Sequence, residues 1–133
     1  GSRNFIDNTR RWRKVLGGGW RQAGVLAAAG LFALEHHIER LAIDHHHATL
    51  LAESLAEIEE LTVDDFPERT NMVWVEAPQW SLATLAPSLR KEGVLISMDD
   101  YPLRLVTHLD INEADIQIAT RIFKNFFSKK KST

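Results

Sequence analysis

Residues 21–35, Arg-Gln-Ala-Gly-Val-Leu-Ala-Ala-Ala-Gly-Leu-Phe-Ala-Leu-Glu, impose the hardest constraint on how this chain can fold. Wound as a helix, they carry Val25, Leu26, Ala27, Ala28, Ala29, Leu31, Phe32 and Leu34 around nearly the whole circumference. A helix that is apolar on every side must be covered on every side. Its small residues, Ala23, Gly24, Ala27, Ala28 and Gly30, let another backbone come close. The run from Ala23 to Leu34 is shorter than the roughly 20 residues that cross a bilayer, so no membrane span is expected. A chain of 133 residues builds one modest core and has little left to cover such a helix. Self-association into a homo-oligomer, through this helix and the one before it, is therefore the expectation.

The preceding stretch reads as a basic helix over residues 3–16, with Phe5, Ile6, Thr9, Trp12, Val15 and Leu16 at helical spacing. Gly17, Gly18 and Gly19 end it. Arg21 and Gln22 are then expected in the first turn of the next helix, where free N–H groups and the helix dipole favour an anion. Glycines, a helix start and cations make an anion cradle; the same pattern also describes a plain linker between two packed helices. Residues 1–21 hold six cations against Asp7, whereas residues 53–68 hold seven carboxylates and no cation. The basic arm offers Trp12 and Trp20 but no further aromatic platform and no nucleic-acid motif, so nucleic acid is not an expected partner. There is no cysteine, hence neither disulfide nor thiolate site, and a reducing, cytoplasmic setting is the compatible one.

From His37 to Leu61 the pattern predicts a long surface helix. Its buried stripe runs through Ile38, Leu41, His45, Ala48, Ala52 and Leu55, thickened by Leu51 and Ile58. His45, His46 and His47 fan about 100° apart and cannot converge on one ion, so no metal is expected. Thr62 to Arg69 reads as an acidic connector. Thr70 to Glu76 reads as a strand, and a Ser81-capped helix follows, with Trp80 set to staple onto Leu85. Pro87 should kink or restart that helix, and Gly93 should end it. Val94–Ser97 and Leu103–Thr107 read as two short strands of a hairpin joined by 98–102. Asn112 caps the last helix, with Asp115 completing a capping box and Ile111 positioned to staple on Ile116. A basic tail, Ser128–Thr133, is expected to fray. The fold class is α+β: N-terminal helices over residues 1–61, then a small βαββα domain over 62–133 with a three-stranded sheet. Arg104 lies mid-strand, on the face of Val106. It either finds a partner anion, which its planar guanidinium would grip in bidentate fashion, or stands in water on an edge strand.

Two blocks carry a resemblance. Arg11-Trp12-Arg13-Lys14 with Gly17-Gly18-Gly19-Trp20-Arg21-Gln22-Ala23-Gly24, and Arg104-Leu105-Val106-Thr107-His108-Leu109-Asp110, resemble in order and spacing the C-terminal half of the low-specificity L-threonine aldolases. These are pyridoxal 5′-phosphate enzymes of the aspartate-aminotransferase fold type. The resemblance implies retro-aldol cleavage of threonine or allo-threonine to glycine and acetaldehyde. It implies that Arg104 binds the substrate α-carboxylate, and that Arg21 and Lys14 lie near the cofactor phosphate across a subunit interface. The family's cofactor lysine lies upstream of the basic helix. Catalytic residues are thus expected in a large-domain segment outside these 133 residues, and the chain alone is expected to be inactive. The other reading, from a different class, is a structural or oligomerisation module without activity. His108 and Asp110 follow Arg104 without a nucleophile, and read as a structural histidine and a turn residue.

Overall fold

The structure is a computed structural model that describes residues 1–97 and 101–130. The joint of the expected hairpin at 98–100 and the tail end at 131–133 lie outside the described residues. The chain divides into two compact units, Gly1–Ile38 and Glu39–Thr133.

The first unit holds α1 (Arg3–Val15) and α2 (Gly24–His36). Ser2 caps α1, its Oγ accepting the Phe5 N–H at 3.3 Å. At the other end Gly17 takes φ +89°, its N–H donates to Lys14 O at 3.2 Å, and the Gly18 N–H donates to Arg13 O at 2.7 Å. That pair of bonds is a Schellman cap, and only glycine enters its left-handed position without strain. The second helix starts at Gly24, not at Arg21 as expected. Gln22 has φ +54°, outside helical geometry, and no Ser, Thr, Asp or Asn stands before it to cap an earlier start. Arg21 and Gln22 therefore belong to the turn. No residue of α1 or α2 is buried; Val25 is 75% and Phe32 55% exposed.

The second unit comprises α3 (Leu41–Ala56), β1 (Thr62–Val63), β2 (Met72–Glu76), α4 (Leu82–Lys91), β3 (Leu103–Val106) and α5 (Glu113–Lys130). The sheet order is β1-β2-β3, both pairings antiparallel. An α+β fold with a three-stranded sheet is as expected, but the strands are differently drawn. Val94–Ser97 has no regular structure, and the third strand is Thr62–Val63, from the stretch read as a connector. Asp64 explains the change. Its N–H donates to Trp74 O at 3.0 Å and its carboxylate accepts the Trp74 N–H at 2.8 Å, so side-chain chemistry extends the edge that two residues begin. Arg69 holds the same carboxylate with Nη1 at 3.0 Å to each oxygen, in a nearly buried pair.

Helix α3 is shorter than predicted, and its buried stripe is shifted. Asp44, His47, Ala48, Leu51, Ala52 and Leu55 face inward, while Ile38 and Leu41 are exposed and His45 is only half-buried. The shift brings a carboxylate inside, which needs a partner. Arg40 supplies it with two 2.9 Å hydrogen bonds to Asp44. Thr107 Oγ1 donates to the Asp44 carbonyl at 2.7 Å, tying α3 to the end of β3. Helix α4 runs through Pro87 as a single helix, and Gly93 follows its end at φ +97°. Trp80, expected against Leu85, sets its ring edge-on to Phe126 and Phe127 of α5, at 5.2 and 5.8 Å. The capping box of α5 forms as read: Asp115 N–H to Asn112 Oδ1 at 3.1 Å, and Asn112 N–H to Asp115 Oδ2 at 3.0 Å. The basic stretch at 128–130 continues α5 instead of fraying.

Val73, Val75 and Leu103 point from the sheet into a core completed by Leu51, Leu55, Leu85, Leu89, Ile116, Phe123 and Phe127. The alternating residues, Met72, Trp74, Glu76, Arg104 and Val106, make the outer face.

Candidate functional site

Arg104 is held by strand alternation. Its neighbours Leu103 and Leu105 are directed toward the core, which turns the guanidinium out onto the open face. The side chain is exposed and has no ion-pair partner among the described residues. Its cross-strand partner is Trp74, and Met72 pairs with Val106 beside them. The backbone N–H and C=O of Trp74 are both spent on Asp64, on the side away from β3. Trp74 and Arg104 therefore form a non-hydrogen-bonded pair of the β2–β3 ladder, the arrangement that brings opposing side chains closest. Trp74 is half-buried. With Phe66 it lines two shallow grooves, one bounded by Thr62, Glu76 and Pro102, the other by Pro67, Arg69 and Met72. An apolar wall next to an unpaired guanidinium can receive a carboxylate carried on a small organic body.

The glycine turn is built otherwise than as a backbone cradle. Gly17, Gly18 and Gly19 each donate their N–H within the cap, the last to Gly17 O at 2.8 Å. Positive charge at the turn thus comes from side chains. Lys14 folds back so that its Nζ lies 2.5 Å from where a Cβ on Gly19 would stand. Arg21 is exposed two residues further on. Neither cation has an ion-pair partner among the described residues.

His108 and Asp110 occupy the turn between β3 and α5. The Asp110 N–H donates to His108 Nδ1 at 3.3 Å, and the carboxylate stands 3.7 Å from the same nitrogen, both side chains well exposed. Among the described residues no three His, Cys, Asp or Glu side chains gather as a metal would require. His47, not His45, is the buried histidine of α3, and its Nδ1 has no hydrogen-bond partner among the described residues. The sequence reading missed Trp74, Phe66 and the Asp64–Arg69 pair. Alternation along 72–76 places Trp74 on one face of its strand, but only the register puts it opposite Arg104.

Residues 1–78 match the family described as beta-eliminating lyase. The chain is similar to the low specificity L-threonine aldolase of Escherichia coli (strain K12), 36% identical over 129 residues that make up 97% of this chain and 38% of that protein. It is 39% identical over 131 residues to a probable low-specificity L-threonine aldolase 2 of Arabidopsis thaliana, covering 96% of this chain and 37% of the relative. A probable low-specificity L-threonine aldolase of Schizosaccharomyces pombe is 31% identical over 125 residues. The resemblance read from the two motif blocks therefore holds over nearly the whole chain, which spans about a third of the length of these relatives.

Proposed function

The chain belongs to the beta-eliminating lyase family, and on that premise we propose that it is the C-terminal region of a pyridoxal-phosphate-dependent L-threonine aldolase. The observation that carries the proposal is the guanidinium of Arg104 on the open sheet face, unpaired among the described residues, in a motif shared with that resemblance. In this reading Arg104 grips the α-carboxylate of threonine or allo-threonine through two parallel hydrogen bonds, fixing how the amino acid lies.

The residues at the glycine turn suit the cofactor's phosphate. Lys14 and Arg21 are unpaired among the described residues, and Gly19 leaves the space into which the Lys14 ammonium folds. They would hold the phosphate by charge, without help from the glycine N–H groups. Bound pyridoxal phosphate supplies the electron sink for breaking a Cα–Cβ bond. This chain's part is to bind and orient. The cofactor lysine and ring partners belong to the large-domain segment, so residues 1–133 alone are proposed to be inactive, and the complete protein to act as a homo-oligomer.

Arg104→Lys in the complete protein tests the assignment. A point charge replaces the fork, and substrate affinity should fall about 10- to 150-fold, the worth of one charge-assisted hydrogen bond. Cofactor affinity should hold. Loss of cofactor with unchanged substrate kinetics would show that the role of Arg104 is wrong. A second reading, an oligomerisation module without activity, draws on the wholly unburied α1 and α2. Mixing the chain with the large-domain segment and assaying glycine release separates the two.

A further inference from the structure

We infer that Trp74 is a positioning residue for the carboxylate clamp, acting through Arg104; the inference rests on the aldolase reading above. Trp74 and Arg104 are direct cross-strand partners on the open face, in the pair type with the shortest side-chain separation. An arginine opposite an indole has a ring face to lie along, since the planar guanidinium is weakly hydrated and stacks on aromatic faces. A guanidinium so laid presents its edge, with its parallel N–H groups, to an incoming carboxylate. The half-buried indole also removes water from one side of the ion pair, where the attraction is screened least.

The structure fixes the strand at residue 74 more firmly than the backbone ladder alone would. The backbone N–H of Trp74 donates to the Asp64 carboxylate at 2.8 Å, and its backbone carbonyl accepts the Asp64 N–H at 3.0 Å, so the Cα that carries the indole is held in place. Arg69 clamps both Asp64 oxygens, and its Nη2 donates to the Asp64 carbonyl at 2.8 Å. Asp64 and Arg69 therefore act as a brace behind the tryptophan, and Trp74 as a wall behind Arg104. This gives the nearly buried ion pair at the sheet edge a use beyond holding a two-residue strand.

The test is a double-mutant cycle in the complete, cofactor-loaded protein, read as KM and kcat for L-threonine and as glycine binding by calorimetry. Trp74→Leu should raise KM and the glycine dissociation constant roughly 3- to 30-fold, the span of a cation–π contact from exposed to desolvated. The kcat should stay within about twofold, and Trp74→Phe should recover most of the loss by restoring a ring face. In an Arg104→Met background, which removes the cation, Trp74→Leu should cost less than about threefold, because residues acting as a unit are not additive. Equal costs in both backgrounds, or no change of KM on Trp74→Leu alone, would overturn the inference. If Arg104→Lys itself leaves substrate binding intact, the clamp role of Arg104 fails and the inference falls with it, whereas the aldolase reading stands or falls on glycine release. Should Trp74→Leu not fold, Trp74→Met keeps the bulk without the ring plane and is expected to behave as Trp74→Leu does.

Discussion

The two units of this chain contain comparable apolar helices and treat them in opposite ways. In Glu39–Thr133 the helices close over a sheet and leave Leu55, Leu85 and Leu89 wholly buried. In Gly1–Ile38 the more apolar of the two helices, α2, buries nothing, and Leu26, Leu31, Phe32 and Leu34 are all more than half exposed. Apolar content alone thus does not make a core. The second unit has a stripe on each element and a sheet on which the stripes converge. The first has a helix without a polar side, flanked by a basic helix that cannot cover it.

The widest contrast should come from paired truncations. Phe123→Ala empties the centre of the second unit and should cost about 3–5 kcal/mol, read as a lower urea midpoint. Phe32→Ala, measured at a dilution where the chain is a monomer, should change stability by less than about 0.5 kcal/mol, as for a surface change. A large loss on Phe32→Ala would mean that α2 is covered in solution by something other than its own unit. Self-association sharpens the same point. We expect the chain to scatter light as a dimer or larger at micromolar concentration, and Phe32→Glu to return it to a monomer. A monomeric parent would remove the case for α2 as an interface.

Glycines probe the contrast at finer scale. Gly17→Ala places a side chain at φ +89° and should cost roughly 1–2 kcal/mol of helical stability in α1, followed by circular dichroism. Gly30→Ala lies inside α2, with nothing within 4 Å of the added methyl, and should gain roughly 0.5–1 kcal/mol in the chain alone. If Gly30→Ala instead disrupts the oligomer, the glycine marks a close backbone contact between copies. The smallest effect concerns Tyr101, whose hydroxyl donates to Trp80 O at 2.9 Å and whose pKa is raised by burial. The folded state disfavours the phenolate. Stability from this group is therefore complete below the ordinary tyrosine range and declines as pH rises through and above 10.0. Tyr101→Phe should flatten that alkaline decline in thermal unfolding.

Where local chemistry decides structure, the sequence was readable. The Asn112–Asp115 box, the Gly17 and Gly93 stops and the alternation that turns Arg104 outward all follow from residues within a few positions of one another. Side chains that reach further were not readable. The strand at Thr62–Val63 depends on Asp64 meeting a partner ten residues away. The phase of α3 depends on Asp44 answering both Arg40 and a threonine sixty-three residues on. An apolar run such as 23–34 has no internal period to mark its start, and the turn geometry at Gln22 set the boundary instead. The outward direction of Arg104 was legible from its own strand, but its pairing with Trp74 needed the register.

The clasp between Asp64 and Arg69 also bears on how such a protein can vary. It closes a small loop on itself, with Asp65, Phe66, Pro67 and Glu68 outside the ring of bonds. Inserted residues there would lengthen a loop whose ends are already fastened, at a cost that grows only with the logarithm of its length, about 0.6 kcal/mol per doubling. The rim of the groove at Phe66 can therefore drift in size and chemistry while the floor at Trp74 keeps its place. That leaves the surface with one heritable dial for the shape of what it admits, separate from the residues that hold the charge.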